Sequence, residues 1–482
     1  MLNSSLQILY RFCRKCKQIM DSDAKAAKTE LFERMPVPKA VLKLIVPTVV
    51  SSLVMVFYNL ADTLFVGFLN DPAETSAVTL AATVLLAFNA VNNLFGVGAS
   101  SLISRSMGAG DYETAKRAGA FGFWGAVICG LLFSVLCTVF RPQLLVLLGA
   151  RSDNLSQTAS YLFWTVTLGA VPSILNVVMA NIVKSEGMAL HAAVGSMTGC
   201  LLNIVLDPFF ILPQFLGMGA AGAGCATFIS NCIACLYFFV MMAVKRRQMV
   251  MDIRLKYFTL KKNIVREVCG VGVPASIQNL LNVTGMTVLN NFMAAYGSEA
   301  VSAIGIAHKM AMIPMYISLG TGQGVMPLIG YNYTAGNKKR MRDALLYTVK
   351  ILTGFMLVTT AIYCIFSEQI IRLFMKNELV VAYGSAFLIG QSLAQVFTSI
   401  DFTGIGVFQA CGMGKKSLVF ALLRKVVFEI PALFVLDKLF PMYGLAYAPL
   451  VPEVVLAVIA VIEVKKIMKD EKSAETSAPR AN

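Results

Sequence analysis

Val41–Phe68 reads VLKLIVPTVVSSLVMVFYNLADTLFVGF, a stretch in which only Lys43 and Asp62 carry charge. About 20 apolar residues suffice for a helix to cross the hydrocarbon core of a bilayer, so this run reads as a membrane span. Eleven more such runs follow, near 75–103, 118–140, 156–182, 192–213, 219–244, 268–296, 300–330, 345–367, 379–410, 418–440 and 444–464. The composition agrees. Of 482 residues, 57% are hydrophobic and 14% charged, and the mean hydropathy is +0.71. Soluble domains carry about 25% charged residues, so this chain has too little polar material for a water-facing surface. The expected class is an all-α polytopic membrane protein.

A formal net charge of +15 would point a soluble chain toward nucleic acid. Here the placement of the bases decides. The termini and the even-to-odd loops hold 33 of the 41 Lys and Arg. The opposite loops hold Arg141, Arg151, Arg372, Lys376 and Lys438, and the spans hold Lys43, Lys309 and Lys350. This sorting counts Arg424 and Lys425 with the loop after the tenth span, although both fall within the 418–440 run. By the positive-inside rule both termini are cytoplasmic. The expected setting is the plasma membrane, with the bilayer as partner and no nucleic acid.

Self-comparison reveals a repeat. Ala109-Gly110-Asp111 aligns with Ala335-Gly336-Asn337, Val46-Pro47 with Val273-Pro274, and Glu186-Gly187-Met188 with Cys411-Gly412-Met413, at offsets of 225 to 227 residues. Six spans per half is an even number, so both halves enter the membrane from the same side. They are then parallel repeats about an axis along the membrane normal, an arrangement used by secondary transporters. The expected organisation is a cytoplasmic tail at 1–34, a first lobe at 35–250, a basic linker at 251–267, a second lobe at 268–466 and a tail at 467–482.

Ionisable side chains inside spans cost about 2.5–3.5 kcal/mol on an insertion scale and mark function by default. Asp62 lies about six residues inside the outer end of the first span, and Asp207 about five inside that of the fifth. At 1.5 Å per residue they share a depth. Asn203 is one turn from Asp207 on the same face, and Thr227 of the sixth span comes to a similar level. These four make a cation-coupling site, with Tyr58, Asn59 and Pro208 as helpers. Pro208 lacks an N–H and disrupts the helix behind it, freeing carbonyl oxygens. Two close carboxylates in low dielectric cannot both stay charged, so the pair takes up H⁺, or Na⁺ held at Asp62 and Asp207. In the second half, Lys309, Met312, Gln323 and Asp401 are candidates for a substrate cavity, with Asp401 the partner for Lys309.

Other chemistry is poorly represented. Gly217-x-Gly219-x-x-Gly222 joins two spans and follows no strand, so it is not a dinucleotide fingerprint. Only His191 and His308 are available for acid–base work, and no phosphate-binding loop of the ATPase type occurs. Cys13-x-x-Cys16 lacks a second ligand pair for zinc. No enzyme and no cofactor are expected.

Several motifs carry a family resemblance. Tyr58-Asn59-x-x-Asp62-Thr63, Ser104-Arg105-x-x-Gly108-Ala-Gly110-Asp111, Asn203-Ile-Val-Leu-Asp207-Pro208 and Gly322-Gln-Gly324-x-x-Pro327-Leu-Ile-Gly-Tyr331-Asn332-Tyr resemble the MATE (multidrug and toxic compound extrusion) family, with the flavour of its MepA-type pumps. The resemblance runs over about 35–465. It implies two six-helix lobes around a central cleft and antiport of lipophilic, often cationic, organic compounds against H⁺ or Na⁺, in a chain that works as a monomer. Asp62, Asn203, Asp207 and Thr227 fall where that family's first-lobe cation site lies. A lipid-linked saccharide flippase of the same superfamily is the alternative. It would share the topology but call for a more cationic cavity.

Overall fold

The computed structural model describes residues 26, 28–69, 71–151 and 154–469. Cys13, Cys16 and the 467–482 tail beyond Lys469 lie outside the described residues.

Among the described residues, seventeen α-helices build twelve passes. The first lobe comprises α1 (Val37–Gly67), α2 (Pro72–Asn92) continuing through a π turn into α3 (Gly98–Gly108), α4 (Tyr112–Val139), the short α5 (Arg141–Leu147), α6 (Leu155–Leu162), α7 (Ala170–Ser185), α8 (Ala189–Ile211) and α9 (Gly219–Val244). The second lobe comprises α10 (Lys262–Ala294), α11 (Ser298–Thr334), α12 (Lys338–Arg372), α13 (Glu378–Ala410), α14 (Gly414–Leu422), α15 (Ile430–Leu439), α16 (Tyr443–Tyr447) and α17 (Leu450–Lys469). Helices are what a bilayer permits, since they satisfy every backbone N–H and C=O within one segment. They start where the sequence supplies caps. The side chains of Asp71, Asp111, Asn337 and Asn377 each accept a backbone N–H of the following turn. Asp111 and Asn337 occupy equivalent places in the repeat.

Among the described residues, nine helices are long and apolar enough to cross a membrane. The pair Leu155–Leu168 and Ala170–Ser185, bent by 51°, makes a tenth. The other two passes are α10 and the run Gly414–Leu439. Both are long enough but more polar: α10 carries Gln278, Asn279, Asn282, Asn290 and Asn291, and the other run carries Arg424, Lys425 and Glu429. Arg424 and Lys425 therefore belong inside a pass, not in the loop to which base counting assigns them. A π turn at Leu423–Glu429 links α14 to α15 and carries Arg424 into the lobe, where it is 3% exposed.

The two lobes meet along a seam at the end of the bundle that holds the α3–α4 and α11–α12 turns. Glycine makes the approach possible. A Cβ on Gly272 of α10 would overlap the backbone of Leu94, and one on Gly108 would overlap the carbonyl of Tyr331. Small residues allow such backbone contact between membrane helices. Polar bonds reinforce it. Ser276 donates to the carbonyl of Ala90 at 2.6 Å, Thr334 to that of Arg105 at 2.6 Å, and Ser101 to that of Gln409. Arg105, 1% exposed, pairs with Glu267 at 3.0 Å. One buried apolar cluster runs through the first lobe and across this seam. A second, including Leu289, Phe387 and Leu433, fills the second lobe.

Gly272→Val should lower stability by about 1–3 kcal/mol, the usual cost of overpacking. Gly270→Ala on the same helix, where an added Cβ meets nothing within 4 Å, should behave as wild type. Thermal unfolding of both variants in detergent checks this.

Candidate cation-coupling site

Asp62 sits near the end of α1 and Asp207 near the end of α8, which carries Pro208 within it. The two helices pack side by side. Asp207 is fully buried and Asn203 is 2% exposed. Asn203 precedes Asp207 by four residues, so both lie on one helix face, and its amide donates to the hydroxyl of Thr227 on α9 at 3.3 Å. The polar chain then continues inward. Asn231 donates to the carbonyl of Thr227 at 2.9 Å and to Ser173 at 3.2 Å, and Asn176 donates to Asn231 at 3.0 Å.

The oxygens are the informative atoms. Neither carboxylate oxygen of Asp207 has a hydrogen-bond partner among the described residues, nor does Oδ1 of Asp62 or of Asn203, and all four are buried. An unsatisfied buried polar group costs about 1–3 kcal/mol, and a charged one more. A cluster that leaves four acceptors unpaired is shaped for something positive. Carboxylate, amide and hydroxyl oxygens are hard ligands, suited to a proton or an alkali cation rather than to a metal that prefers imidazole or thiolate.

Two tyrosines complete the surroundings. Tyr58, one turn before Asp62, lies against Thr227. Tyr161 of α6 is 4% exposed and within electrostatic reach of both Asp62 and Asp207. Sequence reading missed Tyr161, although a signal was present. It stands six residues in from Leu155, about 9 Å at 1.5 Å per residue, which is the depth shared by the two carboxylates. Asn59, by contrast, is exposed on α1.

The four residues read as a substrate cavity do not converge. Lys309 is exposed and Met312 half-buried. Gln323 accepts from Lys184 at 3.1 Å across the seam. Asp401 is fully buried and pairs with Arg424, which also holds Glu453 at 3.0 Å. Asp401 is thus the partner of Arg424, not of Lys309. Lys425 of the same run pairs with Glu429 at 2.6 Å. Among the described residues, Asp62 and Asp207 of the first lobe have no ion-pair partner, whereas Asp401 and Glu453 of the second share Arg424.

A twelve-pass helical protein of two similar lobes, one with an unpaired acid pair buried between its helices, is built as a secondary transporter is built. The MatE family profile matches residues 47–209 and 274–435, once in each lobe. The chain belongs to the MatE family. It is 31% identical over 450 residues to the multidrug export protein MepA of Staphylococcus aureus (strain MRSA252), a match covering 92% of this chain and 97% of that protein. MepA of Staphylococcus saprophyticus is 32% identical over 433 residues, covering 89% and 94%. Among solved structures, the outward-facing conformation of a multidrug resistance MATE family transporter of the MOP superfamily superposes with a TM-score of 0.85. That match has 26% identity and covers 92% of this chain and 99% of that one. These relatives are named as exporters or transporters.

Proposed function

We propose that this protein is a multidrug exporter that moves lipophilic, often cationic, organic compounds out of the cell in exchange for H⁺ or Na⁺. The observation that carries this is the unpaired acid pair Asp62 and Asp207, with Asn203 and Thr227 beside it. The multidrug relatives supply the substrate class. The base distribution supports cytoplasmic termini, and with them a seam on the cytoplasmic side and access from outside at the far end. The chain works as a monomer in the plasma membrane, without a cofactor, and performs transport rather than catalysis. Its expected division is the first lobe at 35–250, the linker at 251–267 and the second lobe at 268–466.

In the proposed cycle the outward-open form binds its ion at Asp62 and Asp207. Neutralising the pair removes the reason for α1 to stay where it is, and α1 carries Pro47, a built-in point of weakness in its hydrogen-bond ladder. Movement of α1 disturbs the cleft and the drug leaves. The ion-loaded protein then parts its seam, releases the ion inside and takes up the next drug. A saccharide flippase needs positive charge for a lipid-linked phosphate, and the second lobe's Arg424 is already committed to Asp401 and Glu453.

Purified protein in proteoliposomes, given an imposed Na⁺ or H⁺ gradient and ethidium, tests the proposal. One gradient should accelerate ethidium movement several-fold, and that identifies the ion. Equal rates with and without both gradients would refute antiport.

A further inference from the structure

The stretch from Lys28 to Met35 lies across the seam. On the first-lobe side, Lys28 is 3% exposed and reaches the turn between α7 and α8. It donates to the Glu186 carboxylate at 3.0 Å and to the Glu186 carbonyl at 2.6 Å. The same carboxylate accepts the backbone N–H groups of Val250 and Met251 in the linker. Leu31 and Phe32 are buried over Gly187, whose φ of +83° and lack of a Cβ make room for them.

On the second-lobe side the same few residues are held again. Phe32 stacks on Tyr331 with ring centroids 4.8 Å apart, and the Tyr331 hydroxyl donates to Glu33 at 2.6 Å. Arg340, at the start of α12, donates to the carbonyls of Leu31, Phe32 and Met35. Asn332 donates to that of Phe32 at 3.2 Å. A stretch this short therefore fastens the α7–α8 turn of one lobe to the α11–α12 turn of the other. If the lobes part here, one set of these bonds must break.

We propose that Lys28–Met35 is a strap that latches the seam, so that its release governs how often the cytoplasmic end opens. The inference rests on the alternating-access reading above. Charge-assisted bonds such as Lys28 to Glu186 are about twice as strong as neutral ones, so the strap biases the two-state equilibrium toward the closed seam. A bias of this kind changes populations without touching the ion site.

Cys411 offers a native reporter. It is fully buried at the seam, and its neighbour Gly412 packs on the Arg105 guanidinium of the opposite lobe. With the other cysteines replaced in the full-length chain, maleimide labelling of Cys411 in inside-out vesicles measures seam opening. Lys28→Met and Phe32→Ala, made separately, should each raise the labelling rate about tenfold, the effect of losing one charged bond or one buried aromatic contact. Phe32→Ala acts on both lobes and Lys28→Met on the first alone, so either variant reads the latch if the other folds poorly. Unchanged labelling in the folded variants would overturn the proposal. Labelling needs neither drug nor ion gradient, so failure of the coupling mechanism would leave this result standing, and the reverse also holds.

Discussion

Asp207→Asn is expected to reduce ethidium efflux from intact cells to the rate of cells lacking the protein, a loss of at least about tenfold. Asn is close in shape to Asp, and residue 207 is fully buried, so packing should survive. Only the capacity to hold a cation is removed. Asn203 would still reach Thr227, and the path through Asn231 and Asn176 would remain. The variant should therefore fold, reach the membrane and bind drug, yet fail to exchange it against an ion. Asp62→Asn should act in the same direction, because Oδ1 of Asp62 is also unpaired. Binding of the fluorescent drug to purified variants separates coupling from recognition. Efflux at wild-type rate in both variants would remove the acid pair from the mechanism.

Arg424→Met is expected to have the largest effect on stability. Arg424 is 3% exposed and answers two buried carboxylates, those of Asp401 and Glu453. Removing this cation takes from Asp401 and Glu453 the ion-pair partner they share, and breaking a buried pair this way costs about 3–5 kcal/mol. The informative control is the triple change Arg424→Met, Asp401→Asn and Glu453→Gln. It removes the charges together and should recover most of the loss, since uncharged replacements for buried ion pairs are often neutral. Thermal unfolding in detergent reads both. A single variant as stable as wild type would mean that the network carries no stability.

Much of this was legible in the sequence because a bilayer allows few choices. The twelve apolar runs sit within a few residues of the passes, and several helices extend further than the apolar stretches, as at Lys338–Arg372 against 345–367. The shared depth of Asp62 and Asp207 came from counting residues along straight helices. What failed was inference about partners. Base counting set Arg424 and Lys425 with the loop charges even though the 418–440 run already contained them, and a charge in a span is costly. That cost falls for Arg424 when acids on two other helices, α13 and α17, arrive beside it, and no local pattern announces a contact between residues 401, 424 and 453. Gln323 and Lys184 lie in different lobes, so their pairing was equally hidden. Lys28 to Arg34 of the strap were read as tail because the groups that hold this stretch lie on turns distant in sequence.

The glycine contacts of the seam also bear on how readily it comes undone. Where Gly108 meets Tyr331 and Gly272 meets Leu94, backbone touches backbone, and little hydrocarbon is hidden between the lobes at those points. Between membrane helices lipid supplies no hydrophobic drive, and contacts of this kind rest on close packing. At Gly108 and Gly272 there is no side chain of the glycine to disengage, and a handful of bonds that can be broken one at a time shares with the apolar cluster the task of keeping the seam shut.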